Sequence, residues 1–152
     1  MHSTKDETFN RTDATGRAQS WWALWLCIGA ALGGLGVVIG AAGTHALEGR
    51  IDSDSLDTLE TAVRFQMYHG IALAGLGVAA RVWQSGVVTL AAVLMTAGTV
   101  VFCSSLYILA LLGVGVFGAI APVGGLCLIA GWAALAIGAG VEFIRRTGSD
   151  HR

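Results

Sequence analysis

The fold is decided by residues 82–141, which read VWQSGVVTLAAVLMTAGTVVFCSSLYILALLGVGVFGAIAPVGGLCLIAGWAALAIGAGV. These 60 consecutive residues contain no Asp, Glu, Lys, Arg or His. A membrane-spanning helix needs about 20 consecutive apolar residues, so this stretch holds two such helices and the turn between them. It predicts an all-α membrane protein and indicates no particular reaction.

The composition of the whole chain supports the same fold class. Of its 152 residues, 55% are hydrophobic and 12% are charged, whereas an average soluble domain is about 25% charged. The net charge of −1 provides no basic surface for nucleic acid. We therefore expect the partners to be the lipid bilayer and other membrane proteins or further copies of this chain. The three cysteines form no Cys-x-x-Cys pair, which favours buried thiols over a metal site or disulfide.

The chain divides into a polar tail over residues 1–20, a membrane domain over 21–146 and a polar C-terminal tail over 147–152. The N-terminal tail mixes acidic and basic residues and is predicted to be disordered. We predict a four-helix transmembrane bundle with helices at about 21–43, 53–83, 87–112 and 118–144. The polar stretch before the second helix predicts an amphipathic entry, capped by Ser53 or Asp54.

The second helix is the weakest of the four predicted spans, because its uncharged part covers only residues 65–80. If it does not cross, three spans remain and the C-terminus changes sides. With four spans, seven of the nine Lys and Arg residues lie on the side of the two termini. Because basic residues favour the cytoplasmic side, we predict a multi-pass plasma-membrane protein with both termini cytoplasmic.

Glycines recur at helical spacing in the first and fourth predicted helices. Small residues on one helix face let a neighbouring membrane helix approach closely. We favour this packing role over a ligand groove. The candidate packing residues are Gly29, Gly33, Gly36, Gly40, Gly124, Gly131 and Gly138.

Polar residues gather at the predicted edge of the membrane and are the candidates for a functional site. Glu60 and Arg64 are four residues apart and can form an ion pair on one helix face, which Tyr68 continues. His69 points to nearly the opposite face. This candidate edge cluster consists of His45, Glu60, Arg64, Gln66, Tyr68 and His69. Its members either pair internally, tying the outer loop to the bundle, or form a functional site.

The two interior histidines offer a second hypothesis. His45 follows the first helix and His69 begins the second predicted span, so both are expected near the same membrane face. Two histidines at matched depth can hold a haem or a metal. No phosphate-binding loop, His-Glu-x-x-His or Gly-x-Ser-x-Gly string occurs. We therefore assign no catalytic residue and no cofactor, and we do not expect an enzyme.

Several strings together resemble a known family. They are GAAGTHAL at 40–47, ETAVRFQMYH at 60–69, FCSSLY at 102–107 and IAPVGG at 120–125. They are similar to the family called domain of unknown function 423, which includes small YgdD-like bacterial inner-membrane proteins and eukaryotic transmembrane protein 256. The chain departs from the family pattern at Thr44, Phe65 and Cys103-Ser104. The resemblance implies four spans and a membrane location, and it supplies no established activity.

The residues and the resemblance favour a non-enzymatic membrane protein that serves as an accessory or packing component of a larger assembly. A small oligomeric transporter or channel is the first alternative. An intramembrane haem or metal protein that uses His45 and His69 is the second.

Overall fold

The structure, a computed structural model, describes residues 21–47, 49–83 and 85–149, without the side chains of residues 44, 45 and 149. The predicted N-terminal tail lies outside this part of the chain. The described residues form four helices: α1 (Trp21–Leu47), α2 (Ser53–Ala79), α3 (Gly86–Leu112) and α4 (Val116–Ser149). The all-α class is confirmed.

The helix ends differ from the predicted bounds by up to five residues. α1 continues to Leu47, past the predicted end at residue 43, and Gly49 beyond it has a positive φ of 75°. α2 ends at Ala79, where the predicted helix continued to residue 83, and residues 80–83 instead form a turn bonded to the end of α2. α4 extends the predicted helix at both ends, from Val116 to Ser149.

The beginning of α2 is fixed by an acidic cap. Asp52 is the cap, rather than the predicted Ser53 or Asp54. The Ser55 backbone N–H donates to Asp52 Oδ1 at 2.9 Å, and the Ser55 hydroxyl donates to Oδ2 at 2.8 Å. These hydrogen bonds, the backbone one first, hold the pKa of the Asp52 carboxyl below its ordinary value, because they stabilise the carboxylate form.

The helices run alternately up and down, and each packs mainly on its neighbours in sequence: α1 on α2, α2 on α3, and α3 on α4. The close approaches of Gly43 to Leu59 and of Gly29 to Ala74 show that α1 and α2 are antiparallel. α2 and α3 are therefore the central helices. A core lies toward the end of the bundle where α1 begins, formed by Trp25, Leu73, Leu76, Val88, Ala92 and Met95.

Within the part of the chain that the structure describes, three segments are long and apolar enough to cross a membrane. They are Trp21–Gly43 in α1, Gly86–Leu112 in α3 and Val116–Gly148 in α4. α2 does not meet that criterion. The packing of α2 against three apolar helices therefore depends on how its polar residues are paired.

Candidate functional site at mid-span

A buried glutamine on α2 joins three helices. Gln66 is 2% exposed. Its Nε2 donates to the backbone carbonyl oxygen of Leu32 on α1 at 2.8 Å, and its Oε1 accepts the hydroxyl of Tyr107 on α3 at 2.9 Å. Both ends of the amide are thus bonded to neighbouring helices, one through a backbone group and one through a side chain.

A buried histidine one turn further along α2 reaches the fourth helix. His69 is 6% exposed; its Nδ1 lies 2.8 Å from the Phe65 carbonyl oxygen, and its Nε2 lies 3.2 Å from the indole nitrogen of Trp132 on α4. A carbonyl oxygen only accepts and an indole N–H only donates. These two partners fit the imidazole tautomer that carries its proton on Nδ1, with Nε2 accepting from Trp132.

Aromatic rings surround this histidine. The Phe65 ring stacks on His69 at a centroid distance of 5.9 Å and contacts Phe102 on α3 at 4.7 Å. Trp132 meets the imidazole edge-on at 6.3 Å and keeps about half of its own surface exposed on the outside of the bundle. Hydrogen bonds and ring contacts thus tie α2 to all three other helices. We call the set of Leu32, Gln66, His69, Tyr107 and Trp132 the mid-span network.

The mid-span network lies at the middle of the bundle, not at its edge. Leu32 is the midpoint of the candidate span Trp21–Gly43, and Trp132 is the midpoint of Val116–Gly148. The prediction that placed Gln66 and His69 at the membrane edge is therefore wrong about their depth. The predicted helix already began at residue 53, but residue 65 was taken as the membrane edge. The contact of Gly70 with Gly29 and Gly33 instead places His69 level with the middle of the α1 span.

The remaining α2 members of the candidate edge cluster lie on the opposite face. Glu60, Arg64 and Tyr68 are exposed, and the Arg64 Nη2 atom is 4.0 Å from Glu60 Oε2 with the two side chains 57% and 50% exposed. Among the residues described here, no hydrogen bond joins Arg64 to Tyr68. The cluster is thus divided between an inward face and an outward face of α2.

The matched depth predicted for His45 and His69 is contradicted. Gly70, next to His69, packs against the backbone of Gly29 and Gly33. His45 lies 12 residues beyond Gly33 along α1, or about 18 Å at 1.5 Å per residue. The two histidines therefore do not face one another, and both ring nitrogens of His69 are already bonded within the protein.

Glycines form the contact between α1 and α2. An added Cβ at Gly29 would collide with the Ala74 backbone nitrogen, and one at Gly36 would lie 2.8 Å from the Met67 Cγ. At Gly40 the nearest atom would be Val63 Cγ1, at 3.1 Å. Gly33 differs, because a Cβ there would meet nothing within 4 Å. Its backbone instead packs against Gly70.

Glycines form the contact between α3 and α4 as well. An added Cβ would lie 2.5 Å from the Phe102 backbone nitrogen at Gly124, 2.8 Å from Met95 Cγ at Gly131 and 2.7 Å from Val87 Cγ1 at Gly138. Three further glycines at these contacts, Gly70, Gly77 and Gly98, were not predicted. The seven-residue interval between Gly70 and Gly77 was the available signal.

Sequence reasoning also missed two partners in the mid-span network. Tyr107 and Trp132 lie in uncharged helices, where only the polar tips of their rings indicated a hydrogen-bonding role. Trp132 offered the clearer signal, because tryptophan in membrane proteins concentrates at the water interface and this one lies at the middle of its span. No local pattern named the partner of either ring.

The bundle has an open groove at each end. One, of about 280 Å³, lies between α1 and α2 and includes Gly40, Val63, Arg64 and Met67. The other, of about 190 Å³, lies among Trp21, Trp22, Trp25 and Trp83 at the opposite end, where the Arg81 guanidinium carbon is 4.8 Å from the centre of the Trp22 ring. Every buried side-chain nitrogen and oxygen in the described chain has a hydrogen-bond partner. The hydrogen bonds of Gln66 and His69 thus join α2 to its neighbouring helices.

Apolar helices joined by paired polar groups at mid-span define a small all-helical membrane protein. The chain belongs to the family described as protein of unknown function (DUF423), whose model matches residues 39–125. It is 42% identical over 114 residues to the UPF0382 membrane protein SH2409 of Staphylococcus haemolyticus, covering 75% of this chain and 93% of the relative. The resemblance drawn from the sequence strings is confirmed.

Two further relatives broaden the family. The UPF0382 membrane protein YwdK of Bacillus subtilis is 38% identical over 117 residues, covering 76% of this chain and 95% of the relative. The UPF0382 inner membrane protein YgdD of Escherichia coli is 34% identical over 115 residues, covering 76% of this chain and 86% of the relative. No solved structure matches the chain. The prediction of a membrane protein without an assigned biochemical role is confirmed.

Proposed function

We propose that this protein is a four-span, non-enzymatic component of the plasma membrane that serves a larger membrane assembly as an accessory or packing subunit. The observation that carries the proposal is that Gln66 and His69, the buried polar side chains of α2, are both bonded to other helices. Polar groups used in this way position helices, because each buried nitrogen and oxygen atom of these side chains already has a partner within the described bundle.

The antiparallel order of the helices supports four spans. Three helices contain candidate spans, and α1 and α3 are parallel to one another because each is antiparallel to α2. The chain must therefore return across the bundle between them, and α2 makes that return. Pairing of its polar groups with neighbouring helices lowers the cost of placing them in lipid. The seven-to-two distribution of Lys and Arg supports cytoplasmic termini.

The position of the grooves supports an accessory role over transport. A transport path needs polar or ionisable groups that line a cavity through the membrane. The two grooves described above lie at opposite ends of the bundle, and the mid-span network and its aromatic rings occupy the region between them. This arrangement favours a solid bundle whose outer surface meets its partners.

Reporter fusions test the topology. Fusions after Arg81 and after Arg152 should both report the cytoplasm. An external signal from the Arg152 fusion alone would contradict four spans, because one span would then fail to cross. A fusion at Asp52 is the matched control and should report the outside.

Purification in mild detergent tests the accessory role. After crosslinking in intact membranes, the tagged chain should purify with one or a few other membrane proteins at a fixed ratio. A tagged membrane protein of similar size and expression level controls for non-specific capture. A homo-oligomer that purifies without other proteins and releases solute from sealed vesicles would instead support the transporter.

A further inference from the structure

The groove between α1 and α2 combines an apolar inner part with two opposite charges at its outer part. Met67 and Val63 line the inner part beside Gly36 and Gly40 of α1, while Arg64 and Glu60 line the outer part. The groove is open along one side and has a volume of about 280 Å³. Its shape and polarity are those of a site for an amphiphilic molecule.

The depth of the groove matches the boundary between hydrocarbon and headgroups. Val63 packs at the level of Gly40 and Leu59 at the level of Gly43, the last residue of the candidate span Trp21–Gly43. Arg64 therefore lies about one turn inside the end of the span, and Glu60 lies one turn further toward water. The apolar part continues inward to Met67, opposite Gly36.

The two charges are close but are not hydrogen-bonded to each other. Arg64 Nη2 is 4.0 Å from Glu60 Oε2, whereas Arg146 Nε donates to Glu142 Oε1 at 2.8 Å in the other ion pair of the described chain. A guanidinium presents five N–H donors in a planar fork that fits phosphate oxygens. Arg64 can therefore bind a phosphate while Glu60 remains beside it on the water side.

We propose that this groove binds a phospholipid whose headgroup carries both a phosphate and a primary ammonium, as phosphatidylethanolamine does. Arg64 binds the phosphate, Glu60 accepts the ammonium two carbon atoms further out, and an acyl chain lies along Val63 and Met67. From lipid to water the protein then presents a positive charge followed by a negative one, which is complementary to the phosphate and then the ammonium of the ligand. The site depends on the membrane placement proposed above.

Lipid retention measured on the full-length protein tests this site. Detergent-purified protein is incubated with equal amounts of phosphatidylethanolamine and phosphatidylglycerol that carry identical acyl chains, and bound lipid is counted by native mass spectrometry. The wild-type protein should retain more phosphatidylethanolamine. Equal retention of the two lipids would overturn the proposal, and this comparison needs no variant.

Substitutions then assign the two charges. Arg64→Gln should lower retention of both lipids roughly fivefold, the range expected for one exposed charge pair. Glu60→Gln should keep binding and lose the preference for phosphatidylethanolamine. The matched controls are Arg146→Gln and Glu142→Gln in the other ion pair, which should leave both values unchanged. Wild-type retention in Arg64→Gln, or the same loss in Arg146→Gln, would contradict the assignment.

A chain-free headgroup tests the apolar part of the groove. Glycerophosphoethanolamine carries the same phosphate and ammonium without acyl chains, so it should compete poorly with the lipid. Competition as strong as that of the intact lipid would show a soluble-headgroup site and overturn the proposal. All of these measurements use purified protein, so their outcome is separate from the reporter and co-purification results.

Discussion

The two faces of α2 carry similar polar residue types in opposite surroundings. On the inward face, Gln66 and His69 are buried and bonded to α1, α3 and α4. On the outward face, Arg64 Nη2 lies 4.0 Å from Glu60 Oε2, and both side chains are about half exposed. The comparison teaches that the polar residues joining α2 to its neighbours are the buried ones, while its ion pair lies on the exposed face.

The two faces differ in what replaces a polar interaction when one partner is lost. An exposed ion pair contributes about 0–1 kcal/mol because water competes for both partners. A buried donor or acceptor that loses its partner costs about 1–3 kcal/mol, since no water replaces the bond. We therefore expect substitutions on the inward face to have the larger effects, and the predictions below follow that order.

The largest effect is expected at the glycine beside the inward polar pair. Gly70→Leu places a side chain where a Cβ would already lie 2.7 Å from the Gly33 backbone nitrogen. Overpacking costs typically about 1–3 kcal/mol, and contact with backbone places this site at the upper end. Thermal unfolding in detergent should show the loss. Gly75→Leu is the matched control on the outward face, where a Cβ meets nothing within 4 Å; equal losses would contradict the comparison.

Loss of the buried amide is expected to have the next largest effect. Gln66→Leu removes the bonds to Leu32 and Tyr107 and should lower the free energy of unfolding by about 1–3 kcal/mol. Adding Tyr107→Phe should recover part of the loss, because the orphaned hydroxyl is then removed. Tyr68→Phe, which deletes an exposed hydroxyl on the outward face, is the control. Strictly additive effects of the first two substitutions would show that they do not interact.

The bond between α2 and α4 should contribute less. Trp132→Phe keeps an aromatic ring and removes the N–H that His69 Nε2 accepts, with an expected loss of about 1 kcal/mol, within the range of hydrogen bonds between membrane helices. A double-mutant cycle with His69→Gln measures the coupling by detergent unfolding. Trp21→Phe on the exposed start of α1 serves as the control. A coupling energy of zero would mean that the 3.2 Å contact does not stabilise the bundle.

The smallest effect on stability is expected for the outward ion pair. Glu60→Gln and Arg64→Gln should each change the free energy of unfolding in detergent by less than about 1 kcal/mol, because the two side chains are half exposed and 4.0 Å apart. The same substitutions in Glu142 and Arg146 provide a comparison with a pair at hydrogen-bonding distance, 2.8 Å. A loss above that of Gln66→Leu would reverse the ranking of the two faces.

The helices could be predicted from sequence because they depend on local properties. The charge-free run over residues 82–141 predicts α3 and α4 on its own, since a helix satisfies its backbone groups within the segment itself, as lipid requires. The glycine intervals also predicted close contacts from local sequence, because small residues on one face let a neighbouring helix approach. Gly33 shows the limit: its spacing matches Gly29 and Gly36, but an added Cβ there would meet nothing within 4 Å.

The candidate site could be predicted only in part, because it depends on depth and on distant partners. Helical periodicity correctly separated His69 from Glu60 by placing them on different faces. It could not give the depth of His69, which follows from the level at which α2 packs against α1. Nor could it name Tyr107 and Trp132, which lie 41 and 63 residues from their partners in sequence and meet them only after all four helices pack.

The sequence separations between these hydrogen-bond partners also determine the order in which the partners are synthesised. The carbonyl of Leu32 has already been synthesised when Gln66 emerges, but Tyr107 and Trp132 follow their partners by 41 and 63 residues. At about 5–20 residues per second, translation needs roughly 3–13 s to supply the indole that completes the pairing of His69. The second helix to leave the ribosome is therefore the last to be fully paired, and the insertion machinery must hold it until the fourth has been made.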